Sequence, residues 1–493
     1  MKRLSPGLPI LSGFLIFPLM FVGCQREKPV STHSSEALRY YEDGTSKWTK
    51  FYYNDAEEAL KKALALDSSF ALAWGRLALV YSWAENEQKA TEAIQKALQY
   101  APQATQREQL YIALWHHRIG YKFKDAARVA DSLIALYPDE AEAYYFRGSM
   151  YDLEKRYDDA IRMYRKSIEA DTSFALSQMM LGYSYSTLGD NDRALLEMQR
   201  YIQLAPDAAD PRASYADLLM RVGRYEEALE QYQKARGLKP DYWYALRQSG
   251  EIYLTLGQLK KGQELIHSSF DLMPATPLRA ASHLATDAYV TLARGHYAEA
   301  VRRYREALAV DSSHWSAAFG LVTALGRLRE FEEGAEALVH IRHLLERKNL
   351  IGSGVMVDFY ATQANLLTEE GALDRATVSC DSALQYSTPL TLRWVYRTLA
   401  EIYLRKKNYE AALSACEEAL KNNPRGPLVL LTLTRVYAAM GDRGMTKEIG
   451  NQLFELWKDA DPDFAHLAEL RQLLRQPAAG RTHSSPPLML PAP

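Results

Sequence analysis

Histidines and cysteines are the residues whose types first suggest chemistry. His340 and His343 lie three residues apart, so on a helix they share one face on which a metal ion would fit. No carboxylate or cysteine ligand is evident alongside them, so solvated histidines are the simpler interpretation. The sequence also lacks a phosphate-binding glycine-rich loop, a His-Glu-x-x-His motif and a cysteine pair at zinc spacing. These observations predict a protein that is not an enzyme and uses no cofactor or metal.

The overall charge bears on the class of partner. The chain has 493 residues, with 59 Lys and Arg against 61 Asp and Glu, so its formal net charge is -2. A nucleic-acid-binding protein usually has a high pI and a basic face. The balance therefore disfavours nucleic acid as a partner. With only three cysteines, the chain has no disulfide framework to stabilise it.

A pattern of about 34 residues recurs along the chain, and small residues mark it most clearly. Position 20 of each unit is Ala or Gly in all but one unit, as at Ala160, Ala194 and Ala228, and position 8 is often Gly or Ala. A small residue at both positions allows two antiparallel helices to approach closely. Glycine recurs at position 15, where the first helix must end and reverse. The units begin at residues 37, 71, 107, 141, 175, 209, 243, 281, 315, 357, 393 and 427.

This pattern resembles the tetratricopeptide repeat over residues 37–460. The resemblance implies an all-α fold, a right-handed solenoid of about twelve helix-turn-helix units. The segment 461–475 is expected to form a capping helix, with Asp461 as its N-cap and Pro462 in its first turn. Residues 476–493 are rich in proline and are predicted to be disordered.

Two cysteines also follow the repeat. Cys380 and Cys416 both occupy position 24 of neighbouring units. Equivalent points on stacked helices lie roughly 8–10 Å or more apart, whereas a disulfide needs Cα atoms within about 7 Å. We therefore expect two buried thiols.

In tetratricopeptide proteins, positions 2, 5, 9, 12 and 13 face the inside of the superhelix, and the resemblance implies the same here. Units three to five carry an aromatic and methionine cluster at or beside these positions, which fits a hydrophobic or extended ligand. The alternative is that packing buries this cluster. Charged residues at the same positions in later units also suggest partner binding. The alternative is an ordinary solvent-exposed helix face, which carries a similar mixture of charges. The predicted groove residues are Tyr111, Trp115, Tyr145, Phe146, Met179, Met180, Tyr183, Arg247, Arg397 and Arg435.

The N-terminus has the features of a secretory signal. Lys2 and Arg3 precede an apolar stretch of residues 8–22, too short for an ordinary membrane span. Its end, Phe-Val-Gly-Cys, resembles the lipobox of bacterial lipoproteins, which implies that Cys24 is acylated and that residues 1–24 are the signal peptide. The alternatives are an ordinary signal peptide or an uncleaved anchor. Residues 25–36 are polar and are expected to form a flexible tether.

Together these features predict a non-catalytic scaffold that binds a peptide or protein partner at the bacterial cell envelope. A lipid anchor on Cys24 would attach it to the membrane, and Gln25 slightly favours the outer membrane, since it is not the Asp that retains some lipoproteins in the inner membrane. The alternative function is capture of a glycan or lipid. Carbohydrate-binding lipoproteins of the SusD class also use tetratricopeptide helices, but they carry longer insertions than this chain. An enzyme is the least favoured class.

Overall fold

The structure, a computed structural model, describes residues 30–475 except residues 85, 274, 349, 352, 389–390 and 422. This part of the chain contains 25 α-helices, one short 3-10 helix at Ala101–Gln103, and no β-strand. The predicted all-α repeat solenoid is therefore confirmed. The predicted signal peptide with Cys24, residues 25–29 of the tether, and the tail 476–493 lie outside the described residues.

Twenty-four helices form twelve helical hairpins, and a last helix follows them. The hairpins are α1 (Ser35–Thr49) with α2 (Tyr53–Leu66), α3 (Ala71–Trp83) with α4 (Glu87–Tyr100), α5 (Gln106–Ile119) with α6 (Phe123–Leu136), α7 (Ala141–Leu153) with α8 (Tyr157–Ala170), α9 (Ala175–Thr187) with α10 (Asn191–Leu204), α11 (Asp210–Arg221) with α12 (Tyr225–Leu238), α13 (Trp243–Thr255) with α14 (Leu259–Asp271), α15 (Pro277–Ala293) with α16 (Tyr297–Val310), α17 (Trp315–Leu328) with α18 (Phe331–Arg347), α19 (Val355–Glu370) with α20 (Leu373–Tyr386), α21 (Leu392–Arg405) with α22 (Tyr409–Leu420), and α23 (Pro427–Met440) with α24 (Arg443–Leu456). The last helix is α25 (Ala465–Arg475).

Small residues hold the two helices of a hairpin together. A Cβ atom built at Gly148 would lie 2.6 Å from the ring of Tyr164, and one at Gly182 would lie 3.0 Å from the side chain of Met198. Ala194, opposite Gly182, is almost completely buried. Because larger side chains would not fit at these crossings, the repeat pattern of small residues defines where the helices meet.

In eleven of the twelve hairpins, the described turn reverses through one residue with positive φ. Six of these residues are glycines with φ between 76° and 93°, namely Gly189, Gly223, Gly257, Gly295, Gly371 and Gly441. Five other units place a larger residue at the same position with φ between 57° and 68°, namely Phe51, Tyr121, Lys155, Arg329 and Lys407. A left-handed conformation is costly for a residue with a Cβ atom, so these five turns are strained where glycine is absent.

The solenoid is tightly wound, so that later repeats contact earlier ones. The turn of unit one lies against the loop that precedes unit six. Lys50 Nζ contacts Asp207 Oδ2 at 2.6 Å, and the amide of Ala209 donates to the hydroxyl of Tyr52 at 3.0 Å. We call these contacts the N-terminal seam.

A second seam joins the turns of units six to eight to the last loops of the chain. Asn423 Nδ2 donates to Tyr225 Oη at 3.3 Å, and Trp457 Nε1 donates to the carbonyl of Thr255 at 3.2 Å. Arg294 Nε lies 2.8 Å from Asp463 Oδ2. We call these contacts, together with those of Asp461 described next, the C-terminal seam. Both seams join the chain to itself about five repeats further along.

The sequence predicts Asp461 as the N-cap of the last helix, but Asp461 does not cap that helix. Pro462 and Asp463 form a turn between two irregular residues, Asp461 and Phe464, and α25 begins only at Ala465. The amide of Asp461 instead donates to the carbonyl of Gly257 at 2.9 Å, and its Oδ2 accepts the amide of Lys260 at 2.9 Å. Gln258, the N-cap residue of α14, makes no side-chain cap of its own. Asp461 therefore caps a helix about 200 residues away in sequence.

The described part of the predicted tether is attached to the solenoid. The amide of Ser31 donates to Glu108 Oε1 at 2.7 Å, and the hydroxyl of Thr32 donates to Asp67 Oδ2 at 2.6 Å. The hydroxyl of Ser34 caps α1, which begins at Ser35. The expectation of a flexible tether over 25–36 is therefore wrong for residues 30–36, because polar side chains of the first three units bind this segment.

Candidate functional site

The aromatic cluster predicted to face a ligand lies in the core. Tyr111, Trp115, Tyr145, Phe146 and Met179 are at most 6% exposed. The interpretation that packing buries this cluster is therefore correct for these five residues, and the prediction that they form an accessible ligand surface is wrong.

Small residues and a buried charge explain this burial. A Cβ atom at Gly75 would lie 2.7 Å from the ring of Trp115, so this glycine leaves room for the indole. The guanidinium of Arg76 lies 4.5 Å from the ring centroid of Trp115 and 4.6 Å from that of Trp48. It also binds both carboxylate oxygens of Glu142, at 2.7 and 2.9 Å. The inner face of the first units is therefore filled by its own side chains.

The other two residues of the cluster are half-buried, and one of them is already engaged. Met180 packs against the core, while the hydroxyl of Tyr183 lies 3.3 Å from Asp217 Oδ2. Asp217 also accepts hydroxyl hydrogens from Tyr232 and from Tyr244, the latter at 2.9 Å. Burial raises the pKa of the Asp217 carboxyl, and the hydrogen bonds of the tyrosines oppose that shift. This arrangement is a buried hydrogen-bond network and leaves no open groove.

The inner face of units nine to eleven is open instead. A cavity of about 510 Å³ lies across the first helices of these units, α17, α19 and α21. Its walls include three aromatic residues, two residues that carry charge and one amide: Trp315, Phe319, Trp394, Asp358, Arg397 and Asn365. We call this cavity the inner channel. Its volume is within the range of sites that hold small molecules or single side chains of a partner.

Aromatic side chains in and beside the inner channel are exposed. Trp394 is 45% exposed, and Tyr289, on the neighbouring helix α15, is 43% exposed. Large aromatic side chains in an open concave surface are uncommon in the absence of a binding role, because their burial against a partner is strongly favourable. The inner channel therefore has the apolar surface that the first units lack.

The charged groups of the inner channel lack partners. Arg397 and Asp358 make no hydrogen bond or ion pair with any other residue that the structure describes. Burial lowers the pKa of Arg397, and the charge of Glu401 opposes that shift. Partial desolvation raises the pKa of Asp358, although this residue is exposed. Asn365 Oδ1, by contrast, accepts the hydroxyl hydrogen of Thr398 at 3.2 Å. Two unpaired charges of opposite sign therefore lie in one cavity.

The predicted charged groove residues have different environments. Arg397 lies in the inner channel, as just described. Arg435 is bound by Glu469 through two hydrogen bonds, of 2.6 and 2.8 Å, and by Glu401. Arg247 is exposed on α13, outside the residues that line the channel. Of the three arginines, only Arg397 is free to bind a ligand at this site.

The sequence carried a signal for the residues that were not predicted. Phe319 occupies position 5 of unit nine, Trp394 position 2 of unit eleven, and Asp358 position 2 of unit ten. Positions 2 and 5 are among the inward-facing positions of the repeat, as they are in units three to five. This position rule identifies the inward face, but it does not tell which part of that face remains open.

The two histidines and two cysteines singled out in the sequence have different environments. His340 and His343 are exposed, and His343 Nδ1 lies 3.3 Å from Glu346 Oε2. Cys380 and Cys416 are buried free thiols, and burial raises the pKa of Cys380 to about 12. Within the described ranges, no group of three or more His, Cys, Asp or Glu side chains is arranged to hold a metal ion. None of the described helices has the length and apolar character needed to cross a membrane.

Comparison with known families agrees with this architecture. A family model described as tetratricopeptide repeat matches residues 122–173, 156–209, 179–243, 215–262 and 288–339, and a second model of the same description matches residues 394–425. The chain therefore contains tetratricopeptide repeats. Proteins of this kind are typically scaffolds that mediate protein interactions.

Individual relatives share the repeat at low identity. A TPR repeat-containing protein of Methanocaldococcus jannaschii is 22% identical in an alignment 446 residues long that covers 83% of this chain and 74% of that protein. Superkiller complex protein 3 of Mus musculus is 29% identical over 116 residues, 23% of this chain and 7% of that protein. The crystal structure of a tetratricopeptide repeat protein from Parabacteroides merdae matches with a TM-score of 0.36 at 14% identity, covering 59% of this chain and 100% of that one.

Proposed function

We propose that this tetratricopeptide protein is a non-catalytic scaffold that holds an extended segment of a protein partner in the inner channel of units nine to eleven. The observation that carries this proposal is the combination of exposed Trp394 and unpaired Arg397 in a cavity of about 510 Å³. An exposed aromatic side chain provides contact area, and a charged group provides orientation.

We further propose that the scaffold works at the bacterial cell envelope, through a lipid anchor on Cys24. The proposal is supported by the sequence around Cys24 and by the attachment of Ser31 to the solenoid. Ser31 binds Glu108 on the loop edge of the first units. Six residues lie between Cys24 and Ser31, so the two are at most about 25 Å apart. An anchor on Cys24 would therefore keep this edge of the solenoid close to the membrane surface.

Photo-crosslinking from inside the channel tests the binding proposal. A benzoyl-phenylalanine at Phe319 replaces one aromatic side chain by another, and the same group at Val378 on the exposed side of α20 is the control. In cells that express the protein, we expect a protein adduct from position 319 that Trp394→Ala removes, and none from position 378. Equal adducts from both positions, or none from 319, would refute the proposal. A Trp394-dependent adduct to polysaccharide without protein would favour the glycan-capturing alternative.

A further inference from the structure

The guanidinium of Arg397 lies among arginines that already have carboxylate partners. Glu369 binds both Arg327, at 3.0 Å, and Arg405, at 2.7 Å. Glu401 and Glu469 bind Arg435. Four arginines therefore face three glutamates, and Arg397 is the one without a carboxylate at bonding distance. Its Nε atom is buried and makes no hydrogen bond within the described part of the chain.

A second arginine without a carboxylate partner in the described part of the chain lies on the same helix. Arg393 precedes Arg397 by one helical turn on α21, and its Nε atom also lacks a hydrogen-bond partner among the described residues. Its guanidinium lies 4.5 Å from the ring centroid of Trp394. Burial lowers the pKa of both arginines. For Arg397 the charge of Glu401 opposes this shift, and the charges of Arg327 and Arg435 add to it. An anion bound here would relieve this repulsion and supply the missing acceptors.

The opposite charge lies on the neighbouring helix. Asp358 belongs to the first turn of α19, and no positive group contributes to its pKa, which burial alone raises. Its position near the helix N-terminus is favourable for a carboxylate, but its oxygens remain without a donor among the described side chains. A donor or cation on a ligand would bind there.

The repeat geometry gives the spacing of these two charges. Asp358 is at position 2 and Arg397 at position 5 of successive units. Neighbouring helices lie about 8–10 Å apart, and three residues along a helix add about 4.5 Å, so the backbones at the two positions are separated by about 10 Å. An extended peptide covers this distance in about three residues.

Building on the proposed function, we infer that the partner segment is an extended peptide with an acidic side chain that binds Arg397 and, about three residues away, a basic side chain that binds Asp358. An apolar side chain between them lies against Trp394. Charge complementarity supports this occupant, because a uniformly anionic polymer would meet Asp358 and a uniformly cationic one would meet Arg397.

Selection from a library of random heptapeptides with acetylated and amidated termini tests the inference, since only side-chain charges then differ between peptides. With the full-length protein as the target, we expect enrichment of peptides that carry Asp or Glu about three residues from Lys or Arg. A selected peptide should bind at least tenfold more weakly to Arg397→Gln and to Asp358→Asn. Replacing its acidic residue by Lys should restore binding to Arg397→Glu. Arg405→Gln, which removes a paired arginine of the same face, is the matched control and should change affinity less than threefold.

The outcomes separate the two proposals. If folded wild-type protein enriches no peptide, peptide binding by the channel is refuted, and the inference with it. If it enriches peptides that need Trp394 but bind Arg397→Gln as tightly as wild type, the proposed function is supported and the charge inference is overturned. Circular dichroism and melting of each variant establish that the variants are folded, so that a loss of binding reports on the site.

Discussion

Arg76 and Glu142, which belong to units two and four, form a buried ion pair with two hydrogen bonds, of 2.7 and 2.9 Å. The side chain of Arg76 is 3% exposed and that of Glu142 is 16% exposed. The pair bridges one intervening unit, so it connects repeats that are not neighbours in sequence. It also places a cation between two tryptophan rings.

Removing Arg76 should be strongly destabilising. Arg76→Ala leaves the carboxylate of Glu142 buried without a partner, and we expect a loss of about 3–5 kcal/mol in the free energy of unfolding, measured by chemical denaturation. Arg39→Ala, which removes an exposed arginine with an exposed partner, should stay within about 0.5 kcal/mol. The double variant Arg76→Met/Glu142→Leu removes both charges, so it should recover much of the lost free energy of unfolding. If Arg76→Ala were as mild as Arg39→Ala, the buried pair would not exist in solution.

The repeated part of the fold could be predicted from the sequence because every unit uses the same steric rule. Gly148 and Ala194 are small for a reason that recurs in each hairpin, so a single register predicts all helix crossings. The seams could not be predicted in this way. Asn423 and Tyr225 are about 200 residues apart, and their contact depends on how small angles between neighbouring units add up over five repeats.

The sequence predicts the candidate site only in part, because the repeat pattern describes each unit by itself. The position rule correctly placed Arg397 on the inner face, but it also selected Trp115, which is buried because unit two carries Gly75. Whether an inward aromatic residue is exposed depends on the residue opposite it in the next unit and on the winding of the solenoid. Neither is encoded in the repeat pattern of one unit.

The strained turns offer a direct test of the backbone geometry. Lys407 is exposed and has φ of 58°, so Lys407→Gly should raise the free energy of unfolding by about 1 kcal/mol through relief of strain. Gly371 has φ of 93°, and a Cβ atom there would meet no other atom within 4 Å. Gly371→Ala should therefore lower stability by about 1 kcal/mol through backbone strain alone. Equal melting temperatures for both variants and wild type would contradict the left-handed turns.

The buried carboxyl of Asp210 should make stability depend on pH. Burial raises its pKa to about 6, and the hydrogen bonds from Tyr201 and Tyr242 oppose this shift. Because the folded state holds this proton more tightly than the unfolded state, the contribution to stability is full below about pH 4 and is lost as the pH rises through about 6. Asp210→Asn should therefore reduce the fall in stability between pH 4.5 and 7, by at most about 3 kcal/mol.

A carboxyl with the opposite shift is the control for this experiment. The hydrogen bond from Lys50 lowers the pKa of the exposed Asp207, so its contribution is present near neutral pH and is lost as the pH falls through its folded value. Asp207→Asn should therefore weaken the protein at neutral pH and not at acidic pH. If Asp210→Asn and Asp207→Asn changed the pH profile in the same direction, the assignment of the Asp210 proton would be wrong.

The proposed lipid anchor predicts how the protein partitions. Wild-type protein expressed with its N-terminus should enter the detergent phase after membrane extraction, because acyl chains on Cys24 bind to membranes. Cys24→Ala should remain in the aqueous phase, whereas Cys380→Ala, which removes a buried thiol, should behave as wild type. Mass spectrometry that finds an unmodified Cys24 within an intact N-terminus would rule out the anchor.

The C-terminal seam predicts that a helix in unit seven depends on a residue near the end of the chain. Asp461→Ala removes the acceptor of the Lys260 amide, and loss of a cap typically costs about 1 kcal/mol. Hydrogen exchange should therefore accelerate roughly fivefold at the start of α14, around residues 259–262, while Asp461→Asn, which keeps a side-chain oxygen, should change exchange less.

Asp459→Ala is the control, because it removes an exposed carboxylate two residues earlier and should leave exchange in α14 unchanged. Because the acceptor and the amide are separated by about 200 residues, only a closed seam can couple them. Unchanged exchange in Asp461→Ala would mean that the two turns of the solenoid are apart in solution.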